Sequence, residues 1–198
     1  MSTKKRIIDA ALTLFAENGY NGTSVEQIAE AVGIKAPSLY KHFKGKEDIL
    51  NTLIDTAEAR YEEHFGSEKN IGTIPPGREE FIAATMEKIR FTMEDPMIRK
   101  LRMFMVQEQF RSERLGELAS RHQADGLLGM YQKILEGMMA SGLCRTDDPA
   151  LLALELTAPV VVYISKVDRK PEYEAEALEI IEKHVRHFCG EYFVNDRI

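Results

Sequence analysis

Residues 23–46, TSVEQIAEAVGIKAPSLYKHFKGK, decide the fold because they encode two short helices joined by a tight glycine turn. Thr23 is predicted to cap the first helix with its hydroxyl, and Glu26, three residues on, to complete a capping box. Gly33 is predicted to end this helix, since glycine readily adopts the left-handed conformation of a helix terminus. The apolar residues at helical spacing in between are Val25, Ile28, Ala29 and Val32.

The second helix is predicted to start at Lys35 or Ala36, because Pro37 is tolerated only in a first turn, and to end at Gly45. At helical spacing one face carries two apolar anchors and the opposite face is polar and cationic. Such an exposed face suits a DNA major groove, where phosphates attract cations and base edges accept small polar and apolar contacts. The anchors are Leu39 and Phe43; the opposite face holds Pro37, Ser38, Tyr40, Lys41 and Lys44, with His42 on its flank.

Lys46 follows this helix and occupies the first turn of the next one. A cation there opposes the helix dipole, whereas a nearby phosphate would make it favourable. Lys46 is therefore predicted to hold a DNA phosphate.

Positive charge is concentrated in the same part of the chain. Residues 1–50 contain seven Lys or Arg against six Asp or Glu, while the whole chain carries a net charge of −6. This distribution is typical of a module that approaches a polyanion with one region only.

The segment from Lys4 to about Leu53 resembles the DNA-binding domain of the tetracycline-repressor (TetR/AcrR) family of bacterial regulators. The resemblance rests on the run IIDAALTLFAENGYNGTSVEQIAEAVGIKAPSLYKHFKGKEDIL, which keeps the family spacing unbroken. It implies a homodimeric, ligand-released repressor that binds a palindromic double-stranded DNA operator. The residues expected to contact DNA are Thr23, Ser24, Lys35, Ala36, Pro37, Ser38, Tyr40, Lys41, His42, Lys44 and Lys46.

The remaining sequence predicts helices without strand alternation, so the fold class is all-α. We expect a three-helix DNA-binding domain at residues 1–46 and a larger helical domain at 47–198 that binds an effector and dimerises. Helices are predicted over 47–65 and 78–94, helical patterns continue through 97–111 and then to 141, and a linker is predicted over 66–77. We find no apolar run of about 20 residues and no signal peptide, and we therefore expect a cytoplasmic protein.

Methionine and aromatic residues are frequent in the middle of the chain, and most of them are expected to be core. Because thioether side chains adapt to irregular shapes, a subset is predicted to line a cavity for an apolar or aromatic small molecule, as such a cavity does in many members of the resembling family. The candidates are Tyr61, Phe65, Met86, Met93, Phe104, Met105 and Tyr131.

The last two helices are predicted to form the dimer interface. The helix that follows Asp147 and Asp148 is apolar on more than one side and contains Pro159, which predicts a kink; the final helix, from about Pro171 to Phe193, has one continuous apolar stripe. Surplus apolar surface in an acidic chain favours self-association through a four-helix interface. The predicted interface residues are Leu156, Val160, Tyr163, Leu178, Ile181, Val185 and Phe188.

Catalytic and metal-dependent functions have little support. Cys144 and Cys189 are too few for a structural zinc site, and His184 and His187 lack a third ligand in the pattern. The chain contains none of the common nucleotide-binding, hydrolase or metalloprotease motifs. We therefore expect no enzyme activity, cofactor or metal.

Two hypotheses of different class remain: a DNA-binding regulator, and an all-α ligand-binding or scaffolding protein that keeps the helix-turn-helix fold without using it. A protein that does not bind DNA has no reason to keep the lysines of the outward face clear of acidic partners. The placement of those lysines therefore discriminates between the two.

Overall fold

The computed structural model describes residues 2–66, 74–111, 113–121 and 125–194, and these form ten α-helices and no strand beyond an isolated bridge between Cys144 and Phe193. The all-α prediction is confirmed. The helices are α1 (Thr3–Asn18), α2 (Val25–Val32), α3 (Ala36–Leu39), α4 (Lys46–Phe65), α5 (Arg78–Glu94), α6 (Pro96–Glu108), α7 (Glu113–Ser120), α8 (Gly126–Ala140), α9 (Pro149–Arg169) and α10 (Glu174–Tyr192), the last preceded by a 3₁₀ turn at Pro171–Tyr173.

The helical pattern expected over 97–141 is interrupted after Glu108, where α6 ends. After Glu108 the backbone tightens, and the N–H of Arg111 bonds to the carbonyl of Glu108 only three residues back. The predicted linker falls largely on residues 67–73, which lie outside the described residues.

The first compact unit comprises Met1–Glu63 and Pro96–Ala119. Its core takes residues from α4 and α6 as well as from the first three helices. The unit therefore extends past residue 46, because α4 and α6 cover apolar surface that three short helices leave open. Assignment of DNA binding to residues 1–46 stays a prediction, since packing does not show which residues bind. The α4 and α6 contributions are Ile49, Leu53, Ile54, Ala57, Leu101, Phe104 and Met105.

The second compact unit comprises His64–Asp95 and Ser120–Ile198. Helices α5, α8, α9 and α10 meet in its core, and the two free cysteines, Cys144 and Cys189, are buried there. Burial raises the pKa of Cys189 to about 12 and raises that of Cys144, so both thiols stay protonated at neutral pH. The four methionines buried in this core are Met86, Met93, Met130 and Met138.

Helix α9 begins as predicted, with the Asp148 carboxylate accepting bonds from the backbone N–H groups of Ala150 and Leu151. It continues as α-helix through Pro159, and the kink expected there stays a prediction. By length and composition α9 could cross a membrane, which corrects the sequence-based statement that no run approaches that size. Its most apolar side instead packs into the core of the second unit.

We expect Leu39→Ala to lower the free energy of unfolding of the first unit by about 2–5 kcal/mol, because it deletes a fully buried side chain that its neighbours cannot replace. Tyr40→Ala, one residue on and half exposed, should cost less than about 1 kcal/mol. Urea unfolding of both variants measures the difference. Equal costs would contradict the assignment of Leu39 as an anchor.

Candidate nucleic-acid interface

Helix α2 is capped by Ser24, one residue later than predicted. The Ser24 hydroxyl accepts from the backbone N–H of Gln27 at 3.1 Å, and the Gln27 side chain accepts from the N–H of Ser24 at 2.7 Å. The predicted Thr23–Glu26 capping box is therefore wrong. Gly33 ends the helix in the left-handed conformation, with φ 73° and ψ 33°, as expected.

Thr23 does not present its side chain to DNA, which corrects its place among the predicted contact residues. The residue is buried, and its hydroxyl donates to the carbonyls of Leu14 and Gly19 at 3.1 and 3.0 Å. Thr23 thus closes the turn between α1 and α2.

Helix α3 is shorter than the predicted helix up to Gly45, because regular α-helix ends at Leu39. Helical turns continue to Phe43, whose N–H bonds to the carbonyl of Leu39 at 3.1 Å, and the N–H of His42 bonds to the same carbonyl at 2.8 Å. Residues 35–45, which we call the recognition segment, are thus held by main-chain bonds at both ends of α3.

One side of the recognition segment is packed against the core, and the opposite side is exposed to solvent. Leu39 and Phe43 are buried in the core of the first unit, whereas Tyr40 is 52 % exposed. Ser24, Ala36 and Ser38 are partly buried, so they lie at the edge of this surface. The exposed predicted contact residues are Lys35, Pro37, Lys41, His42 and Lys44.

The lysines of this surface are not neutralised by the protein. Within the described residues, the ammonium groups of Lys35, Lys41 and Lys44 form no ion pair. Burying or pairing them would have favoured the scaffolding alternative. Their exposure gives a cationic surface with a phenol at its centre, which can contact phosphates and base edges.

Lys46 is held by contacts within the protein, which favour a structural role over the predicted phosphate contact. Its ammonium donates to the carbonyls of Tyr20 and Thr23, each at 2.7 Å, and lies 4.3 Å from the centre of the Tyr20 ring. Burial and, to a smaller extent, the charge of Glu47 raise the pKa of Tyr20, so the ring stays neutral. Lys46 therefore ties the start of α4 to the turn between α1 and α2.

The sequence reasoning missed two cations at the start of α1. Lys4 is exposed, with its ammonium 5.4 Å from the centre of the Phe43 ring, and Arg6 donates to the carbonyl of Val32 at the end of α2. These contacts place the first turn of α1 beside the recognition segment. The adjacent basic residues of the KKR run were the available signal.

The predicted effector-pocket residues do not form one group. Phe104 and Met105 belong to the core of the first unit, where the Phe104 ring stacks on Phe15 with centroids 5.5 Å apart, and Tyr61 is also in that unit. Their assignment to one pocket with the other candidates stays a prediction. The members that meet in the second unit are Met86, Met93 and Tyr131, with Phe65 packed against them.

A surface groove of about 400 Å³ runs along α5 and α10 in the second unit. Met86 contributes to it, but its rim is charged, with Arg186 within 3.2 Å of Glu79 and 3.1 Å of Glu182. This lining differs from the predicted apolar cavity.

Most predicted dimer-interface residues are buried inside the protomer. The core of the second unit contains Leu156, Val160, Ile181, Val185 and Phe188, with Tyr163 and Leu178 packed against it. These side chains are therefore unavailable to a partner chain, and the prediction is wrong for the five core residues. Their helices needed their most apolar stripes for the protomer's own core.

Helix α9 carries a second apolar stripe that is exposed. Its members recur at steps of three and four residues, so they lie on one side of the helix. The exposed fractions are 49 % for Leu151, 49 % for Leu154 and 65 % for Val162, and Ala158 between them is also exposed.

The histidines of α10 show no metal-binding arrangement. His184 Nε2 lies 3.0 Å from the carbonyl oxygen of Leu156, and His187 is exposed. Among the described residues no group of three potential ligands converges.

Comparison with known proteins identifies the N-terminal part of the chain. Residues 7–53 match the family described as "Bacterial regulatory proteins, tetR family". The biofilm operon icaADBC HTH-type negative transcriptional regulator IcaR of Staphylococcus aureus (strain Newman) is 54 % identical over 51 residues, which is 26 % of this chain and 27 % of IcaR. The chain thus matches about a quarter of the length of these curated relatives.

Solved structures resemble the whole chain. A SmeT–triclosan complex has a TM-score of 0.74 at 21 % identity, covering 98 % of this chain and 93 % of that one. A TetR transcriptional regulator from Chloroflexus aurantiacus also has a TM-score of 0.74, at 22 % identity and 97 % coverage of both chains. At these identities the likeness shows the fold.

We expect Lys46→Met to lower the free energy of unfolding by about 1–3 kcal/mol, because two charge-assisted hydrogen bonds are lost, and to leave the salt dependence of DNA binding unchanged. Lys44→Met should do the reverse: nearly unchanged stability, and a slope of log affinity against log salt lowered by about one. Thermal unfolding and fluorescence titration with duplex DNA measure both. A lowered slope with full stability for Lys46→Met would restore Lys46 as a phosphate ligand.

Proposed function

We propose that this chain, whose residues 7–53 match the tetR family of bacterial regulatory proteins, is a homodimeric, sequence-specific DNA-binding repressor released by a small-molecule effector. The observation that carries this proposal is the recognition segment. Two buried anchors hold it, and its free lysines and half-exposed tyrosine face outward.

The chemistry of this surface supports binding to the DNA major groove. Lys35, Lys41 and Lys44 provide cations for phosphates on either side of the groove, and Lys4 adds a fourth at the start of α1. Tyr40 offers a hydroxyl and an apolar ring to base edges and thymine methyl groups. We assign phosphate contact to the lysines and sequence discrimination chiefly to Tyr40, with Pro37 and Ser38 beside it.

Repression, rather than activation, is supported by the description of the curated relative IcaR. IcaR is described as a negative regulator, and it is 54 % identical over 51 residues. Repression requires only that bound protein blocks access to the DNA. This protein has an acidic remainder that would keep the rest of the chain off the DNA.

A palindromic operator requires a two-fold dimer with its recognition segments about 34–36 Å apart, or one DNA turn. We assign the dimer contact to the exposed stripe of α9, Leu151, Leu154, Ala158 and Val162, in place of the buried residues predicted from sequence. A second copy of α9 against this stripe would cover apolar side chains that the protomer leaves in water.

The effector is assigned to the core of the second unit. Met86, Met93 and Phe65 form an apolar, adaptable wall, and the Tyr131 hydroxyl, hydrogen-bonded to Thr85, supplies a polar group. Burial raises the pKa of Tyr131 to about 12, so its hydroxyl stays protonated and available to an apolar or aromatic ligand. The SmeT–triclosan complex shows that a protein of this fold binds an aromatic molecule.

An effector would release DNA by favouring a conformer whose recognition segments no longer match the groove spacing. The loss of DNA affinity equals the ligand's preference for that conformer. We place the protein in the cytoplasm, where DNA and effector meet, and we expect no enzyme activity.

Selection from random duplex DNA by the purified protein tests the function directly. We expect recovery of a palindrome, because a two-fold dimer presents two identical surfaces. Tyr40→Ala should weaken binding to the recovered DNA by about tenfold or more and relax its sequence, since a base contact is lost while the fold is retained. Recovery of no DNA sequence would leave the ligand-binding scaffold as the better reading.

The proposed dimer surface is tested by Val162→Glu. A charge on the exposed stripe of α9 should leave the folded protomer intact but convert a dimer into a monomer, because a buried unpaired carboxylate is costly. Sedimentation of the variant beside Thr56→Glu, which adds the same single negative charge at an exposed position of α4, separates this effect from added negative charge. A dimer that persists in Val162→Glu would place the interface elsewhere.

A further inference from the structure

Glu108, the last residue of α6, is a buried carboxylate outside the segment that matches the tetR family. It is 3 % exposed, and its carboxylate has two partners: the backbone N–H of Tyr20, 3.3 Å away, and the guanidinium of Arg111, 3.5 Å away. Arg111 is largely in solvent and offsets little of the burial cost. An apolar residue would pack here more favourably, so the carboxylate calls for a specific explanation.

The Tyr20 main chain is held from both sides. Its N–H donates to Glu108, while its carbonyl accepts from the ammonium of Lys46, which also lies over its ring. Lys46 is the first residue of α4 and directly follows the recognition segment. A single residue of the turn between α1 and α2 therefore joins the end of α6 to the end of the recognition segment.

The turn that Glu108 contacts contains a glycine in a conformation that other residues rarely adopt. Gly19 precedes Tyr20 with φ 73°, and a Cβ there would lie 2.8 Å from Glu108 Oε1. The Glu108 carboxylate therefore lies directly against the backbone of the turn, where it accepts from the Tyr20 N–H.

Two further hydrogen bonds connect side chains of α6 to α1. Lys100 donates to the Thr13 hydroxyl at 2.8 Å, and the Gln107 side chain donates to the carbonyl of Ala16 at 2.9 Å. These contacts end one turn before Gly19. Glu108 is the residue that extends the attachment from α1 to the turn itself.

We propose that Glu108 is a positioning residue for DNA recognition, which holds the Tyr20–Lys46 turn and thereby sets the position of the recognition segment. The proposal rests on the proposed function and adds to it: operator affinity depends on a residue of α6 that does not face the DNA. The hydrogen bond fixes geometry, and the cations and Tyr40 make the contacts.

Three substitutions of Glu108 in the full-length protein separate the effect of side-chain length from the effect of its negative charge. Glu108→Gln keeps an oxygen that can accept from the Tyr20 N–H, Glu108→Asp keeps the charge but is one methylene too short, and Glu108→Ala removes the acceptor. We expect binding to the selected operator to stay within about twofold for Glu108→Gln and to weaken by about tenfold for the other two. Glu117→Ala, on the exposed face of α7, is the matched control and should bind normally.

A double substitution tests the path through Tyr20. Because Glu108 and Lys46 grip the same residue, Glu108→Ala combined with Lys46→Met should bind no more than about twofold more weakly than the weaker single variant. Losses that multiply would show that Glu108 stabilises the fold independently and would overturn the proposal. Full operator affinity in both Glu108→Asp and Glu108→Ala would overturn it too.

Hydrogen exchange provides a readout that does not need DNA. The Tyr20 amide should exchange about tenfold faster in Glu108→Asp than in the unmodified protein, while amides in the middle of α1 stay protected. An unchanged exchange rate of the Tyr20 amide would refute the proposal that Glu108 holds the turn, even if the chain binds no DNA. Failure of DNA selection with faster exchange would instead refute only the regulator function.

Discussion

The structure depends on the burial of Leu39 and Phe43 beneath the recognition segment. Regular helix there lasts only from Ala36 to Leu39, and a helix this short has no stability of its own. Its position is therefore set by the two anchors and by the core that receives them. Tyr40 and the lysines on the outward side are exposed and therefore available to a ligand.

Sequence patterns predicted the parts of this site that depend on local rules. The turn at Gly33, the anchors and the outward lysines follow from helical spacing and from the φ preference of glycine, and all were predicted correctly. The predicted position of the helix cap was wrong by one residue, because Thr23 and Ser24 are both residue types that cap helices well. Only the fold shows that the Thr23 hydroxyl bonds to Leu14 and Gly19 instead.

The errors of the sequence analysis share one physical origin, which is competition among apolar surfaces for the same partner. Val185, which was predicted to lie at the dimer interface, is instead fully buried in the core of its own unit. A stripe of apolar residues indicates burial but does not indicate what covers it. The remaining candidates for the interface are therefore the residues of the second, exposed stripe of α9, such as Val162. The core of the protomer does not cover this stripe.

Charged residues are easier to interpret once the structure is known, because the partners of a charged group show whether it serves binding or folding. Lys44 and Lys46 are two residues apart and look equivalent in sequence, but one extends into solvent and the other donates to two carbonyls of the α1–α2 turn. Glu108 contacts that same turn from a distant part of the chain. Removing a partner from a buried charge costs more than an exposed ion pair contributes. In the proposed function, Glu108 and Lys46 therefore constrain where the recognition segment lies, while the exposed lysines determine how strongly the segment attracts DNA.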